Sequence, residues 1–265
     1  MRPVIRWLGQ TAPAWFTAVS ETNDALVGLA RVSKTPWAAC GLELKIQGTN
    51  SPIAGEAFPG TALPARCPER HIQGDRTFCT GLRYISVKSR QDAAAWWRQL
   101  EQFIMCQGVA NKTGRWPIHQ ALDHGDAGKH HERALALAVE AGMEDEYAAA
   151  RLGDASWLTD PKLRLFDKKG LAINGRAVCP RRCRRTARGR SVPMLRTDCE
   201  HLSKPGCHKR QLLVELAFEE SQRREKLAKY WRDVIASSEK CCRTMRGCPL
   251  AAYEDGVEEK GRKSQ

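Results

Sequence analysis

The sequence predicts an α+β protein, on three observations. Strand-like alternation is confined to the first third of the chain, at Leu42, Leu44 and Ile46. Apolar spacings of three and four, which mark amphipathic helices, begin only after Ser89. A run free of glycine and proline, from Lys209 to Lys240, supplies one long helix near the C-terminus. Strands first and helices afterwards is the order of an α+β chain rather than of repeated strand–helix units.

Residues 1–88 read as a turn-rich, β-leaning N-terminal region. Arg2 and Arg6 precede the first acid, Glu21, as in a presequence, but Gln10, Thr11 and Pro13 interrupt the apolar run, so the segment is read as folded. Ala25-Leu26-Val27 and Leu42 to Ile46 are short strands separated by glycines. The part from Gly48 to Arg76 reads as a long loop, and Tyr84, Ile85 and Val87 as a further strand.

Residues 89–170 form a helical region. Ser89 is placed as N-cap with Asp92 three residues on. The stripe Ala93, Trp96, Trp97, Leu100, Phe103, Ile104 follows, with Gly108 as the stop. A second helix runs from near Lys129 through Leu135, Leu137, Val139 and Ala141 to Gly142, and a third over Glu144 to Leu152. Beyond Trp157, Pro161 breaks the pattern, and Leu163, Leu165 and Phe166 read as a short strand. Residues 171–265 hold an Arg/Cys-rich loop, the long helix and a polar, frayed tail from Gly247. Trp96 and Trp97 are adjacent, so one faces the core and the other calls for an interface or a protein partner in an assembly.

Function is most legible in the arginine-rich stretch. The formal charge of +13 favours anionic partners. Eight arginines (Arg176, Arg181, Arg182, Arg184, Arg185, Arg188, Arg190, Arg196) lie in a stretch with no acidic residue before Thr197. Guanidinium groups grip phosphate with paired hydrogen bonds, which points to nucleic acid, DNA or RNA, with Lys209 and Arg210 extending the surface. Arg223, Arg224, Lys226 and Lys229 would continue it along the helix. Pro180, Gly189, Pro193, Pro205 and Gly206 argue against regular structure there.

Like charges so crowded need a staple. Cys179, Cys183, Cys199 and Cys207 are placed to hold zinc, with His201 or His208 able to replace one thiolate. Disulfides or free thiols are the alternatives, and eleven cysteines cannot all pair within one chain. Cys241, Cys242 and Cys248 form a separate group. A continuous helix of about 48 Å would keep them away from Cys207. Cys40, Cys67, Cys79 and Cys106 are scattered and read as buried or incidental thiols.

These residues favour a non-catalytic, zinc-stabilised nucleic-acid-binding protein of a reducing compartment, cytoplasmic or nuclear, with no membrane span. One alternative is a metal-dependent nuclease or phosphoesterase built on the loop with His119, Asp123, His124, Asp126, His130, His131 and Glu132. A secreted, disulfide-bonded basic protein is the other. No P-loop, G-x-S-x-G or dinucleotide fingerprint is present.

Overall fold

The computed structural model describes residues 2–81, 85–117, 120, 123–160, 184–187, 190–193, 210–237 and 239–263. The architecture is α+β, as the periodicities predict. The chain divides into two compact units, Met1–Leu122 with Trp231–Gln265, and Asp123–Tyr230.

The first unit opens on helix α1 (Pro3–Gln10), with proline at its first turn, where a missing N–H costs nothing. Val4, Ile5 and Leu8 are its buried face. Four strands follow: β1 (Phe16–Glu21), β2 (Ala25–Ala30), β3 (Leu42–Gln47) and β4 (Ile53–Glu56). They form an antiparallel meander in the order β1-β2-β3-β4. Register is set by alternation: Leu26 and Ala30 of β2 and Leu42, Leu44 and Ile46 of β3 all point inward. Gly28 is required there, because a Cβ would stand 2.5 Å from both the Phe16 ring and the Thr17 carbonyl oxygen.

Helix α2 (Arg90–Thr113) covers the buried face. Ser89 caps it as predicted: its hydroxyl accepts from the Asp92 N–H at 3.2 Å and donates to the Asp92 carboxylate at 2.8 Å. The predicted stripe is buried throughout, and both tryptophans are inside, which removes the need for a partner beside them. The Trp96 indole donates to the Pro52 carbonyl at 2.9 Å and that of Trp97 to the Leu8 carbonyl at 3.1 Å. One ring points toward β4 and the other toward α1, so opposite sides of the helix are both core. Gly108 does not end the helix. It is buried within it, where Thr35 presses close, and the stop is Gly114 at φ 68°.

Two further expectations are corrected. The predicted loop from Gly48 to Arg76 contains β4 and a 3₁₀ turn at Pro68–Arg70. β4 is four residues long and carries Gly55, so its alternation is too short to stand out. No strand forms at Ile85 and Val87, and Tyr84 lies outside the described residues. The predicted frayed tail is helix α6 (Pro249–Lys263), whose Leu250 is buried beside Cys248 and so anchors a polar sequence.

The second unit holds α3 (Ala127–Ala141) and α4 (Glu144–Leu152), with Gly142 at φ 66° between them. The buried face of α3 is Ala134, Ala138 and Ala141, while the expected core residues Leu135 and Val139 are exposed. Strands β5 (Arg184–Ala187) and β6 (Arg190–Pro193) form an antiparallel ribbon, so the arginine stretch does contain regular structure. Backbone pairing between the two strands overrides the proline and glycine signals there. Helix α5 (Arg210–Ala236) is the predicted long helix, and Leu213, Leu216 and Ala217 pack with α3 and α4 residues. Leu163, Leu165 and Phe166 lie outside the described residues.

Candidate thiol centre

The loop after β4 is ordered from inside. The buried Glu56 carboxylate accepts backbone N–H groups from Gly60 (3.0 Å), Ala62 and Leu63 (3.4 Å), which folds the chain back beneath the sheet. Cys67 and Ile72 then exchange backbone hydrogen bonds of 3.2 and 3.0 Å around the 3₁₀ turn, and His71 closes it at φ 54°. The following segment lies along β4: the Phe78 N–H donates to the Ala54 carbonyl and the Cys79 N–H to the His71 carbonyl. Aromatic packing fixes this segment, with Phe78 stacked on Phe103 at 4.7 Å and His71 packed at a tilt against Trp116 at 4.8 Å.

This places Cys79 half-buried at the end of the segment paired along β4. Burial pushes its thiol above the ordinary range, opposed in smaller part by the backbone of Gly81.

Cys67 is buried rather than incidental, and its sulfur lies 3.0 Å from that of Cys242. The segment that returns after α5 delivers Cys241, Cys242 and Cys248. The Arg246 N–H donates to the Gly114 carbonyl at 2.7 Å, and the Cys241 N–H to Glu254 at 2.7 Å. Contact with Cys242 comes first, then burial, in holding Cys67 above the usual thiol range. The same contact drives Cys242 toward thiolate against its burial, helped by Thr244 and by Arg70. Burial, before any other cause, pushes Cys248 up to about 11.

The histidine–aspartate loop is engaged otherwise. Asp123 accepts from His131 at 2.7 Å and from Arg223 at 3.0 Å, and His130 pairs with Glu219 at 2.7 Å. His124 stacks on Tyr230 at 4.8 Å. Arg223 is buried and chelated by Glu220 at 2.6 and 2.9 Å, so it does not extend a phosphate-binding surface. Arg224 is partly exposed and pairs with Glu220. His119 lies outside the described residues. Among the described residues no group of three or more histidine, cysteine or acidic side chains is drawn in as a metal cage.

Of the predicted polyanion surface, Arg184 and Arg185 lie on β5, Arg190 on β6, and Arg210 opens α5. Arg176, Arg181, Arg182, Arg188, Arg196 and Lys209, with the proposed ligands Cys179, Cys183, Cys199 and Cys207, lie outside the described residues. The seven described cysteines are all free of disulfides. No helix among the described residues is long and apolar enough to cross a membrane.

Sequence reasoning passed over Cys67 and Cys79. The one available signal was local: Cys67-Pro68 and Cys248-Pro249 share a cysteine–proline step, and in each the proline opens a helical turn.

No curated protein and no solved structure matches this chain. Two family models do: residues 15–118 match a prokaryotic E2 domain, and residues 123–250 match a cysteine-rich domain, C-terminal to E2 domain. The chain thus carries, in order, a match to a prokaryotic E2 domain followed by one to a cysteine-rich domain.

Proposed function

We propose that this chain is an E2-type conjugating protein that carries an acyl group as a thioester on Cys79. The E2 description implies such a carrier, one that takes an activated carboxyl from one thiol and passes it on. The observation that carries the assignment to Cys79 is its place within the matched segment: half-buried, and tied down by its own N–H, which donates to the His71 carbonyl at 2.8 Å. Cys67 is buried against Cys242, and Cys106 is buried in α2. In the step, the Cys79 sulfur attacks the incoming thioester carbonyl, its proton leaves to solvent, and the departing thiolate takes one up. The Gly81 backbone opposes the effect of burial and so favours the attacking thiolate. Because burial raises the thiol, loading should speed up as pH rises through the neutral range.

The test is incubation of the purified chain with a small protein activated as a C-terminal thioester. A thiol-labile adduct should form, persist in Cys40→Ser and vanish in Cys79→Ser. An adduct undiminished in Cys79→Ser would remove the assignment.

A second reading rests on the arginine stretch, where Arg184, Arg185 and Arg190 share the β5–β6 ribbon. It takes residues 176–196 with Lys209 and Arg210 as a surface for a nucleic acid, held in shape by zinc on Cys179, Cys183, Cys199 and Cys207. A salt-dependent titration against RNA and DNA tests it, with Arg184, Arg185 and Arg190 changed to Ala. The expected result is weaker binding and a shallower salt slope. Binding equal to the unchanged protein at every salt concentration would end it.

A further inference from the structure

We propose that Cys67 and Cys242 are a redox-active thiol pair, which a small disulfide of the oxidised-glutathione type converts into a covalent cross-link between the loop before α2 and the segment after α5. The two sulfurs stand 3.0 Å apart, although 175 residues separate them in sequence. Both residues lie in the first compact unit. A disulfide bond is about 2.05 Å long, so closing the pair needs a movement of roughly 1 Å. The bond would join the stretch matched to the E2 domain to the stretch matched to the cysteine-rich domain.

Each sulfur is held from its own side. The Cys67 carbonyl accepts from the N–H groups of Arg70 at 3.1 Å and Ile72 at 3.0 Å, and the Cys67 N–H donates to the Ile72 carbonyl at 3.2 Å. Arg70 then pins this turn to α2. Its guanidinium donates to the Gln107 side-chain oxygen at 2.9 Å and to the Gln107 carbonyl at 3.2 Å, and the Gln107 amide donates back to the Arg70 carbonyl at 2.6 Å. On the other side, the Cys241 N–H donates to Glu254 at 2.7 Å. The Arg243 guanidinium reaches Glu254 at 2.8 Å and Asp255 at 2.6 Å, which ties the Cys242 segment to α6. Arg243 stands at φ 58°, a turn that few residues other than glycine take, directly after Cys242. The Arg246 N–H fastens the same segment to Gly114 at the end of α2 at 2.7 Å. Reacting groups held in place in this way meet without the entropy cost of finding each other.

Exposure divides the work between the two thiols. Cys67 is 1% exposed, whereas Cys242 is half-buried and followed by exposed Arg243 and Thr244. An incoming disulfide therefore meets Cys242 first. The Cys242 sulfur accepts from the Cys67 thiol and has the Thr244 hydroxyl at 3.1 Å. Contact with Cys67, ahead of every other cause, holds Cys242 down to about 5, so it meets the disulfide as the thiolate.

The exchange runs in two steps. Cys242 thiolate attacks one sulfur of the small disulfide, that S–S bond breaks, and one small thiolate leaves and takes up a proton from solvent. Capping Cys242 removes the hydrogen bond and the negative charge that help to hold Cys67 protonated. Cys67 then gives its proton to solvent and attacks the Cys242 sulfur, and the second small thiolate leaves and is protonated in turn. Two protein thiols are oxidised to one disulfide, and one small disulfide is reduced to two thiols.

The pair is independent of the thioester reading, since Cys79 takes no part. The full chain is reduced, freed of reductant and incubated with oxidised glutathione, and its disulfides are mapped by mass spectrometry of a non-reducing digest. A Cys67–Cys242 cross-linked peptide should appear, with two free thiols lost, and dithiothreitol should reverse both. Cys67→Ser should stop at a glutathione adduct on Cys242. Cys242→Ser should leave Cys67 unmodified, and Cys40→Ser should form the cross-link as the unchanged protein does. Because a serine variant could fail to fold, oxidation of the unchanged chain in denaturant gives a second readout. There the pairings should scatter among the cysteines and the Cys67–Cys242 peptide should fall several-fold. Absence of that peptide from the folded protein overturns the pair. So do Cys242 joined instead to Cys241 or Cys248, and an equal yield of the Cys67–Cys242 peptide with and without denaturant.

Discussion

The two compact units are held by different physics. The first buries a large apolar core of sheet and helix residues, with Trp97 against Trp15 and Phe16 and with Leu100 and Ile104 fully inside. The second has an alanine-lined core and a charged interior: Glu220 is 0% exposed and Arg223 5%. Both carboxylate oxygens of Glu220 and one of Asp123 close on that single guanidinium, and His131 takes the other oxygen of Asp123. Apolar burial depends on area and not on protonation. A buried ion network depends on every member keeping its charge, because removal of one leaves the others desolvated and unpaired. The first unit should therefore tolerate acid and resent loss of volume, and the second should do the reverse.

The strongest attack on this contrast is Trp97→Ala. It removes a ring from the centre of the first core and should cost about 3–5 kcal/mol there. Hydrogen exchange should speed up in β2, β3 and α2 and stay unchanged in α3 and α4. Arg223→Met is the converse, with an expected loss of about 3–5 kcal/mol as Glu220 and Asp123 are left buried without a cation. Exchange should then rise in α3 to α5 only. A uniform response to either change would dissolve the distinction.

Acid sharpens the comparison at lower cost. Burial holds His124 down to about 4, below the ~6.5 of a free imidazole. Between those values the unfolded chain binds a proton that the folded chain refuses. Stability is therefore complete above ~6.5 and falls as pH drops toward 4. At Asp123, burial raises the carboxyl, but the His131 hydrogen bond and the Arg223 charge outweigh it and the net shift is downward. Its contribution is present above the ordinary carboxylate value of ~3.9 and is lost as pH falls through the lower folded value. Denaturation followed by exchange at pH 7 and pH 5 should show the second unit weakening first, and His124→Gln should flatten that difference. The smallest effect expected is Ser89→Ala, which removes the α2 cap at a cost of about 1 kcal/mol and frays only the first turn of that helix.

Cysteine placement draws the same line between local and non-local information. Cys241, Cys242 and Cys248 stand out as a group in sequence, yet the sulfur that Cys242 meets belongs to Cys67, 175 residues away. Nothing local at Cys67 announces that distance. Arg223 is the parallel case: in the one-dimensional pattern it belongs to a polar middle of α5, and a polar run reads as solvated. In three dimensions α3 brings histidines and Asp123 onto that run, and it becomes interior.

By itself the sequence determined what short-range rules govern. The strand at Leu42–Gln47 follows from alternation, α2 starts at the cap of Ser89, and α3 and α4 end at Gly142 and Gly153. Each depends on side chains within about one turn or one pleat of each other, so spacing alone carries the information. Tertiary structure alone decided which polar residues are inside, which thiols meet and why both tryptophans are core. Those outcomes depend on elements that approach from far along the chain, where burial and electrostatics are set by neighbours that no local pattern names.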